Sequence, residues 1–348
     1  MHRCSFDKPG LILISTFLVL QLFAFVPVHC QHLAVSENGR YLTRDGEPFF
    51  YLGDTAWELF HKLDMSDSER YLTDRANKGF TVIQAVILAQ HNGLNDPNSN
   101  GDLPLQDIDL AKPNESYFKH VDAVVELAES LDLVIGMLPT LGSYWSSTNG
   151  NSLIFSPETA ESFAQYLGER YKDHSNIIWI LGGDENINNQ QERDIIEAMA
   201  RGVRNGDGGS HLITFHPRGP GRSSDYFHNA DWLDFNMYQS SHGAFDHDNG
   251  LYAEHDYQLE PTKPTLDGEP RYELIPAGFY NKGANPMAVF TDYDCRQAAY
   301  WSILAGACGH TYGHNSIWQM WSPGKTPILN ARIPWYDAIY HPGSTQMG

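Results

Sequence analysis

Cysteine is scarce in this 348-residue chain, which contains only Cys4, Cys30, Cys295 and Cys308. The last two bracket the segment CRQAAYWSILAGAC, which predicts a helix followed by a turn. At a helical rise of ~1.5 Å per residue they would lie roughly 15–20 Å apart, which is too far for a disulfide. The sequence therefore excludes a disulfide-stabilised scaffold and predicts two free, buried thiols.

Basic residues are also few, with 23 Lys and Arg against 43 Asp and Glu and a formal net charge of −20 at pH 7. Residues 1–30 contribute only Arg3, Lys8 and Asp7, so the rest of the chain carries 21 basic and 42 acidic residues and a net charge of −21. Such a charge repels the phosphates of nucleic acid and the anionic surface of a membrane. We therefore expect neither as a partner.

Long apolar runs are absent after residue 30, and the one run that is present covers residues 11–28. Basic residues precede it and small residues follow it, as in a secretory signal peptide. We predict a signal peptide over residues 1–30, cleavage near Gln31, and a secreted, extracellular protein, with the periplasm or cell surface as alternatives. An uncleaved anchor is a further alternative, because the run is almost long enough to span a bilayer.

Internal repeats and interdomain linkers are absent too. No glycine-rich phosphate loop follows the first predicted strand, where the sequence is GDTAW, and this argues against a nucleotide-binding fold. The length of residues 31–348 is normal for one α/β barrel. We expect these residues to form a single catalytic domain.

Apolar strands alternate with amphipathic helices along the chain, which predicts a parallel sheet. The eight predicted strands are 49–57, 80–88, 133–140, 176–183, 212–217, 232–239, 264–269 and 309–318. Eight strands in this order predict a (β/α)8 TIM barrel, with an open doubly wound sheet as the alternative. Few residues follow the last strand, so we expect the last helix of the barrel to be incomplete.

Polar and aromatic residues collect where the predicted strands end, on the face that carries the active site in such barrels. Aromatic rings stack on the C–H faces of a sugar, and amides and imidazoles hydrogen-bond to its hydroxyls. We therefore predict a carbohydrate site. The predicted substrate-binding residues are Asp54, Trp57, Gln84, Tyr144, Trp145, Asn186, His216, Tyr238, Gln239, Tyr312, His314 and Trp318.

Several of these residues have structural alternatives. Asp54 would cap the turn after the first strand, and Trp145 and Trp318 would pack in the core rather than stack on a sugar. His216 would hydrogen-bond either to a sugar hydroxyl or to a backbone carbonyl. The sequence leaves these alternatives open, and the functional interpretation depends on the joint placement of the residues at the strand ends.

Two carboxyl groups follow the fourth and seventh predicted strands, which face each other across a barrel mouth. Asp184 comes after NIIWILGG, and Glu269 comes after PTLDG. Glycoside hydrolysis requires such a pair, because one group protonates the leaving oxygen while the other attacks carbon or activates water. We predict that both are catalytic. The alternative is that Asp184 caps a helix and Glu269 is an exposed turn residue.

Five motifs resemble those of the apiosidase-like glycoside hydrolases, and together they extend over most of residues 33–348. They are FFYLGDTAWELF (49–60), IIWILGGDEN (177–186), FNMYQSSHG (235–243), PTLDGEPRYE (264–273) and RQAAYWSILAGACGHTYGHNSIWQM (296–320). The resemblance implies a (β/α)8 barrel with Asp184 as acid/base and Glu269 as nucleophile. It also implies an enzyme that removes the branched pentose apiose from pectic side chains of plant cell walls.

Three functional hypotheses follow. The first is a secreted retaining glycosidase, which needs no metal or other cofactor. The second is a non-catalytic carbohydrate-binding or wall-adhesion protein on the same barrel, which requires the aromatic residues but not the paired acids. The third is a metal-dependent hydrolase built on His216, His310 and His314, whose spacing matches no established ligand pattern. The presence of both Asp184 and Glu269 favours the first, and the oligomeric state is left open.

Overall fold

The computed structural model of this protein describes residues 33–148 and 153–348. The predicted signal peptide, residues 1–30, lies outside the described residues. The described part begins with a small antiparallel sheet of three strands, in which the second strand pairs with both of the others. These strands are β1 (Leu33–Val35), β2 (Leu42–Arg44) and β3 (Glu47–Phe49).

A second, nine-stranded sheet forms the body of the domain, and eight of its strands lie within the predicted strand ranges. Its strands are β4 (Tyr51–Thr55), β5 (Val82–Leu88), β6 (Val134–Thr140), β7 (Ile177–Gly182), β8 (Ile213–His216), β9 (Gly221–Arg222), β10 (Asn236–Gln239), β11 (Thr265–Asp267) and β12 (Gly309–Tyr312). The short β9 pairs antiparallel to β10, and every other pairing in this sheet is parallel.

The sheet closes into a barrel. The first barrel strand, β4, pairs with both β5 and β12, so the first and the last barrel strands of the chain lie side by side. Between β8 and β10, the Asp234 backbone N–H donates to Ile213 O at 2.9 Å, and Thr214 Oγ1 donates to Phe235 O at 2.7 Å. The predicted (β/α)8 barrel is therefore confirmed, and the open doubly wound alternative is wrong.

Helices follow the barrel strands and form the outer layer. They are α1 (Leu59–Lys62), α2 (Met65–Asn77), α3 (Glu115–Ser130), α4 (Pro157–Tyr171), α5 (Gln190–Asp207), α6 (Ser224–Phe227), α7 (Gly250–Tyr257), α8 (Asp292–Leu304), α9 (Trp335–Ala338) and α10 (Pro342–Met347). Only the short α9 and α10 follow β12, and α10 packs against α8 and β12. None of the helices in the described ranges has the length and apolarity needed to cross a membrane.

Side chains along each barrel strand alternate between two apolar clusters. On β5, Val82 and Val86 belong to the cluster inside the barrel, while Ile83, Ala85 and Ile87 pack toward the helices. This alternation is the period-two geometry of a strand, which in a barrel separates an interior face from a helix-covered face. Which face a residue occupies therefore decides whether its side chain can approach the barrel mouth.

The two cysteines of the described domain are free and buried, as the sequence predicted. Cys295 lies in α8, where its Sγ contacts the Arg271 carbonyl oxygen at 3.4 Å. Cys308 immediately precedes β12. Burial raises the pKa of the Cys308 thiol to about 12, so the thiolate that reacts with oxidants is not formed near neutral pH.

Candidate active site

A cavity of about 260 Å³ opens where the loops that follow the barrel strands converge. Both predicted catalytic residues line it, and so do three of the predicted substrate-binding residues. These five residues are Asp184, Glu269, Trp57, Gln239 and Trp318. The structure thus brings together, at the expected face of the barrel, an acidic pair and an aromatic wall. This cavity is called the first cavity below.

Asp184 stands on a tight turn directly after β7. Gly182 and Gly183 have φ of +89° and +87°, and Asp184 itself has φ of 56°. Side chains are disfavoured in this left-handed region, so glycine at the first two positions confines the strain to Asp184. A Cβ on Gly183 would also approach Leu141 Cδ2 to 2.7 Å. The paired glycines therefore allow the strand to end abruptly at the carboxyl group.

Trp145 supports this turn instead of facing the first cavity. Its side chain is fully buried, and its Nε1 donates to the Gly182 carbonyl oxygen at 2.8 Å. A second bond, from the Gly142 N–H to Gly183 O at 2.7 Å, holds the next peptide. The prediction that Trp145 binds substrate is therefore corrected, because a fully buried indole whose N–H is already bonded has no face free for a sugar.

Glu269 lies two residues after β11 and is only 6% exposed. His242 Nε2 donates to its Oε1 at 3.0 Å. Its Oε2 lies 3.4 Å from His216 Nε2, although the alignment is too poor for a hydrogen bond. Two imidazoles thus flank the carboxyl group, and a donor directed at a carboxylate favours its ionised form.

His216, at the end of β8, connects the two carboxyl-bearing segments. Its Nδ1 accepts a hydrogen bond from the Asp184 backbone N–H at 3.3 Å, so the proton of the neutral ring must be on Nε2. That Nε2–H faces Glu269. Burial lowers the pKa of His216 to about 4, which keeps the ring neutral near pH 7. His216 therefore holds the backbone of Asp184 through Nδ1 and places Nε2 beside the carboxyl group of Glu269.

The two carboxyl groups titrate as a coupled pair. Desolvation in the cleft and then the negative charge of Glu269 raise the pKa of Asp184 to about 8. Burial raises the pKa of Glu269 to about 8 as well, and the nearby polar side chains of Tyr272 and Gln239 oppose this rise. Such a pair loses its two protons in separate steps. The hydrogen bond from His242 to Glu269 favours the charged form of Glu269. The proton that is retained to higher pH is therefore assigned to Asp184.

The Asp184 residue is exposed to the cleft, although protein atoms surround much of its carboxyl group. Water that enters the cleft offsets part of the rise in the pKa of Asp184, because solvation favours the charged form. When a substrate fills the cleft, that water leaves and the protonated form is favoured further. The direction of the shift is the one that a general acid requires.

Two indoles and one amide form part of the cavity wall. Trp57 packs edge-on against His216, with ring centroids 5.5 Å apart. Trp318 donates from Nε1 to Asn315 Oδ1 at 3.3 Å, which fixes its ring orientation. Gln239, at the end of β10, is 3% exposed and lies beside Glu269. Sequence analysis placed these three residues in the site, and the structure locates them at the cavity.

Asp54 does not line the first cavity. Its side chain lies on the helix-facing side of β4, where Oδ2 accepts hydrogen bonds from Tyr71 Oη at 2.7 Å and from Arg75 Nε, both in α2. Asp54 and Arg75 are fully buried. The prediction of a substrate-binding role for Asp54 is corrected to a structural ion pair between the first barrel strand and its helix.

Gln84 and Asn186 hold backbone segments that border the site. Gln84 lies inside the barrel, where its Nε2 donates to Gly268 O at 2.9 Å, one residue before Glu269. Asn186 Oδ1 accepts from the Arg218 backbone N–H at 3.1 Å. Neither side chain lines the first cavity. The predicted substrate contacts of Gln84 and Asn186 are therefore corrected: both side chains hold the backbone of loops that border the site.

Tyr144 and Tyr312 also lie away from the first cavity, because each hydroxyl is engaged elsewhere. The Tyr144 hydroxyl donates to Ala89 O at 2.8 Å. The Tyr312 hydroxyl donates to Glu273 Oε2 at 2.6 Å, and its ring packs with Leu52 on the helix-facing side. Both predictions of substrate contact are corrected to packing roles.

Tyr238 and His314 complete the set of predicted residues outside the first cavity. Tyr238 stacks on Tyr252 of α7, with ring centroids 5.5 Å apart, on the outer side of β10. His314 Nδ1 accepts from the Ser316 backbone N–H at 3.0 Å, and its Nε2 lies 3.3 Å from His341 Nδ1. Both side chains are fully buried, so both predictions of substrate contact are corrected.

A sequence model of the family described as "Apiosidase-like, catalytic domain" matches residues 36–348. The chain belongs to the apiosidase-like glycoside hydrolase family. This confirms the predicted family and the prediction of a glycoside hydrolase, and it favours that prediction over the non-catalytic hypothesis. No curated protein sequence matches the chain significantly.

Solved structures show the same relationship. A glycoside hydrolase is 37% identical, with a TM-score of 0.82, and the match covers 93% of this chain and 74% of that chain. A family 5 glycoside hydrolase from Bacteroides vulgatus is 33% identical, with a TM-score of 0.83 and coverage of 93% and 71%. A family 5 mannosidase from Rhizomucor miehei shares 13% identity at a TM-score of 0.62, covering 91% and 95%, which shows similarity of fold alone.

Several residues of this apiosidase-like enzyme's cavity were missed by the sequence analysis. They include Arg218, His242, Tyr272, Phe279 and Tyr280. These residues lie in the loops after β8, β10 and β11 and not in a strand or at its immediate end. His242 falls within the family motif FNMYQSSHG, which was the available indication of its importance.

The described side chains, those of residues 33–148 and 153–348, do not support a metal centre. Within residues 33–148 and 153–348, no group of three or more His, Cys, Asp or Glu side chains could hold an ion. His216 is bonded to the Asp184 backbone, and His314 is bonded to the Ser316 backbone. His310 is fully buried within β12, and its two ring nitrogens have no partner among the described residues.

We predict that Arg218 influences the upper pH limit of activity. Its positive charge lowers the pKa of Asp184, opposing desolvation. In Arg218→Met, the pKa of Asp184 should rise, so Asp184 keeps its proton to higher pH. We expect the alkaline limb of the kcat/KM profile to move upward by roughly half a pH unit, because the exposed guanidinium is partly screened by water. Arg222→Met, which alters a surface ion pair with Asp225, is the control. A downward shift would contradict the assignment.

Proposed function

We propose that this enzyme is a secreted retaining glycosidase that acts on pectic side chains of plant cell walls and releases apiose. The observation that carries the reaction type is the pair Asp184 and Glu269 in one cavity, with Glu269 held by an imidazole donor. Apiose and the pectic substrate are supported by membership of the apiosidase-like family. Secretion is supported by the apolar leader in residues 1–30.

In the first step, the Glu269 carboxylate attacks the anomeric carbon of the bound sugar. The bond from that carbon to the glycosidic oxygen breaks, and Asp184 gives its proton to the oxygen. The N–H of His242 aligns Glu269 and favours its ionised form before attack. The raised pKa of Asp184 keeps the proton available near neutral pH. The products are a covalent glycosyl-enzyme and a free leaving sugar.

In the second step, Asp184 is a carboxylate and accepts a proton from a water molecule. The resulting hydroxide attacks the anomeric carbon and displaces Glu269, so the configuration at that carbon is restored overall. The negative charge on Glu269 then raises the pKa of Asp184 again, which retains the new proton for the next cycle. The same carboxyl pair thus supplies the acid and later the base.

The first cavity suits a single sugar residue. Its volume of about 260 Å³ lies just below the ~300–1,000 Å³ that is typical of pockets for drug-sized ligands. Phe279 and Tyr280, both partly exposed, offer ring faces at its rim, and Gln239 offers an amide. A small cavity with an aromatic wall beside the acid pair supports release of a terminal sugar.

The anomeric configuration of the released sugar tests the mechanism. The wild-type enzyme is mixed with a glycan that it cleaves, and proton NMR spectra are recorded before the anomers equilibrate. We expect the first-formed sugar to have the configuration of the bond that was cut. An inverted first product would refute the nucleophilic role of Glu269 and would make it a base that activates water.

A further inference from the structure

A second cavity of about 380 Å³ adjoins the first. His91 and Ile328 line both cavities, so they form the partition between them. Consecutive residues also fall on opposite sides, because Trp57 lines the first cavity while Glu58 lines the second. The cleft at the barrel mouth is therefore longer than the space around the catalytic carboxyl groups.

The partition is held in place by specific bonds. Gln319 accepts at Oε1 from the Ile328 N–H at 2.8 Å, and its Nε2 donates to Ile328 O at 3.0 Å. On the other side, the His91 ring packs against Trp318 with centroids 5.8 Å apart. The Glu58 backbone N–H donates to Trp318 O at 3.3 Å. These contacts link the two cavities rigidly, so a molecule that extends from one into the other meets a preformed surface.

The second cavity contains a buried acid with unused hydrogen-bonding capacity. Glu58 is 2% exposed, and its Oε2 lies 3.0 Å from His61 Nδ1. His61 Nε2 donates to Asp96 O at 2.9 Å, which fixes the ring. Glu58 Oε1 has no partner among the described residues. A buried oxygen without a donor is costly, and this one belongs to a residue that lines the second cavity.

Other groups at the second cavity suit a polyhydroxylated ligand. Lys62 and Lys325 are exposed and form no ion pair with any side chain in residues 33–148 and 153–348, which leaves their ammonium groups available as donors. Trp321 is half-buried, and its Nε1 donates to Lys325 O at 3.0 Å, so the indole orientation is fixed. An oriented aromatic ring beside free donors and an acceptor is the combination that binds sugars.

We propose that the second cavity is a subsite for a second sugar residue of the substrate. The proposal rests on the glycosidase function proposed above and extends it. The enzyme recognises its glycan over at least two residues, one at the carboxyl pair and one at Glu58, Lys62 and Trp321. A substrate long enough to reach both cavities is consequently cleaved more efficiently than a minimal one.

The test compares substrates of different length. The short substrate is a methyl glycoside of the released sugar, which has one sugar residue, and the longer fragments are oligosaccharides of two or more residues cut from pectic side chains; kcat/KM for sugar release is measured on each. We expect the wild-type enzyme to prefer the longer fragments by about tenfold or more. Trp321→Ala should reduce this preference by about tenfold, and Lys62→Ala, at an exposed residue, by about threefold. Tyr300→Ala, an exposed aromatic on α8, should leave the preference unchanged.

A binding measurement tests the subsite separately from the glycosidase function. In Glu269→Gln, calorimetric titration with the same substrates should show tighter binding of the longer ones, and adding Trp321→Ala should remove the difference. Wild-type cleavage without a length preference, or equal losses on short and long substrates in both variants, would overturn the subsite alone. Absence of sugar release from every substrate by the folded wild-type protein would overturn the proposed function instead.

Discussion

Glu269→Gln should lower kcat by about 10³-fold or more, because an amide cannot attack the anomeric carbon. The substitution keeps the size of the side chain and its place near His242, so the loss should appear in kcat more than in substrate affinity. It is measured by initial rates on a cleaved glycan, with thermal unfolding of each protein to show that the fold is kept. Residual activity within tenfold of the wild type would exclude Glu269 as nucleophile.

Asp184→Asn should show a loss that depends on the leaving group. On a natural glycan the leaving oxygen needs a proton, and we expect a loss of about 10²–10⁴-fold. On a dinitrophenyl glycoside the leaving group departs without protonation, so the first step should be much less impaired. An equal loss in kcat/KM, which reports the first step, on both substrates would show that Asp184 positions the substrate and does not act as its acid.

Asp54→Asn should destabilise the protein by about 3 kcal/mol, at the lower end of the ~3–5 kcal/mol typical for breaking a buried ion pair. The substitution leaves the fully buried Arg75 without its main partner, although Asp74 still lies 2.7 Å from Arg75 Nη1. The free energy of unfolding is obtained from urea titrations of both proteins. The double variant Asp54→Asn/Arg75→Met should recover part of the loss, because it also removes the unpaired charge.

A surface ion pair provides the control for this experiment. Asp225→Asn breaks an exposed contact to Arg222 at 2.9 Å and should cost less than about 1 kcal/mol. If Asp54→Asn instead leaves stability within that range and raises KM, the structural role given to Asp54 is wrong and the role in substrate binding is restored.

The alternation of side chains along strands explains which predicted site residues reached the cavity. Gln239, at the end of β10, lines the cavity, whereas Tyr238 immediately before it faces α7. Asp54 and Leu52 share the helix-facing side of β4. Strand ends could be found from hydrophobic pattern and turn residues, but the face of each residue depends on the register of the barrel. A count in steps of two from Tyr51, which lies inside, would have excluded Asp54.

The carboxyl pair was predictable because its positions follow from strand order alone. Asp184 ends the fourth strand and Glu269 follows the seventh, and barrel closure brings these ends to one mouth. His242 and Arg218 were not predictable in this way, since they lie on loops whose path depends on tertiary contacts. The roles of Trp145 and His216 as supports of the Gly182–Asp184 turn could be recognised only from hydrogen bonds.

Sugar release from plant cell-wall pectic glycans, measured side by side for the wild-type enzyme, Asp184→Asn and Glu269→Gln, tests the central claim most directly. The account predicts that the wild type releases a monosaccharide and that both variants, shown to be folded, lose this activity on the natural glycan. Release of the sugar at the wild-type rate by either variant would contradict the assignment of Asp184 and Glu269 as the catalytic pair.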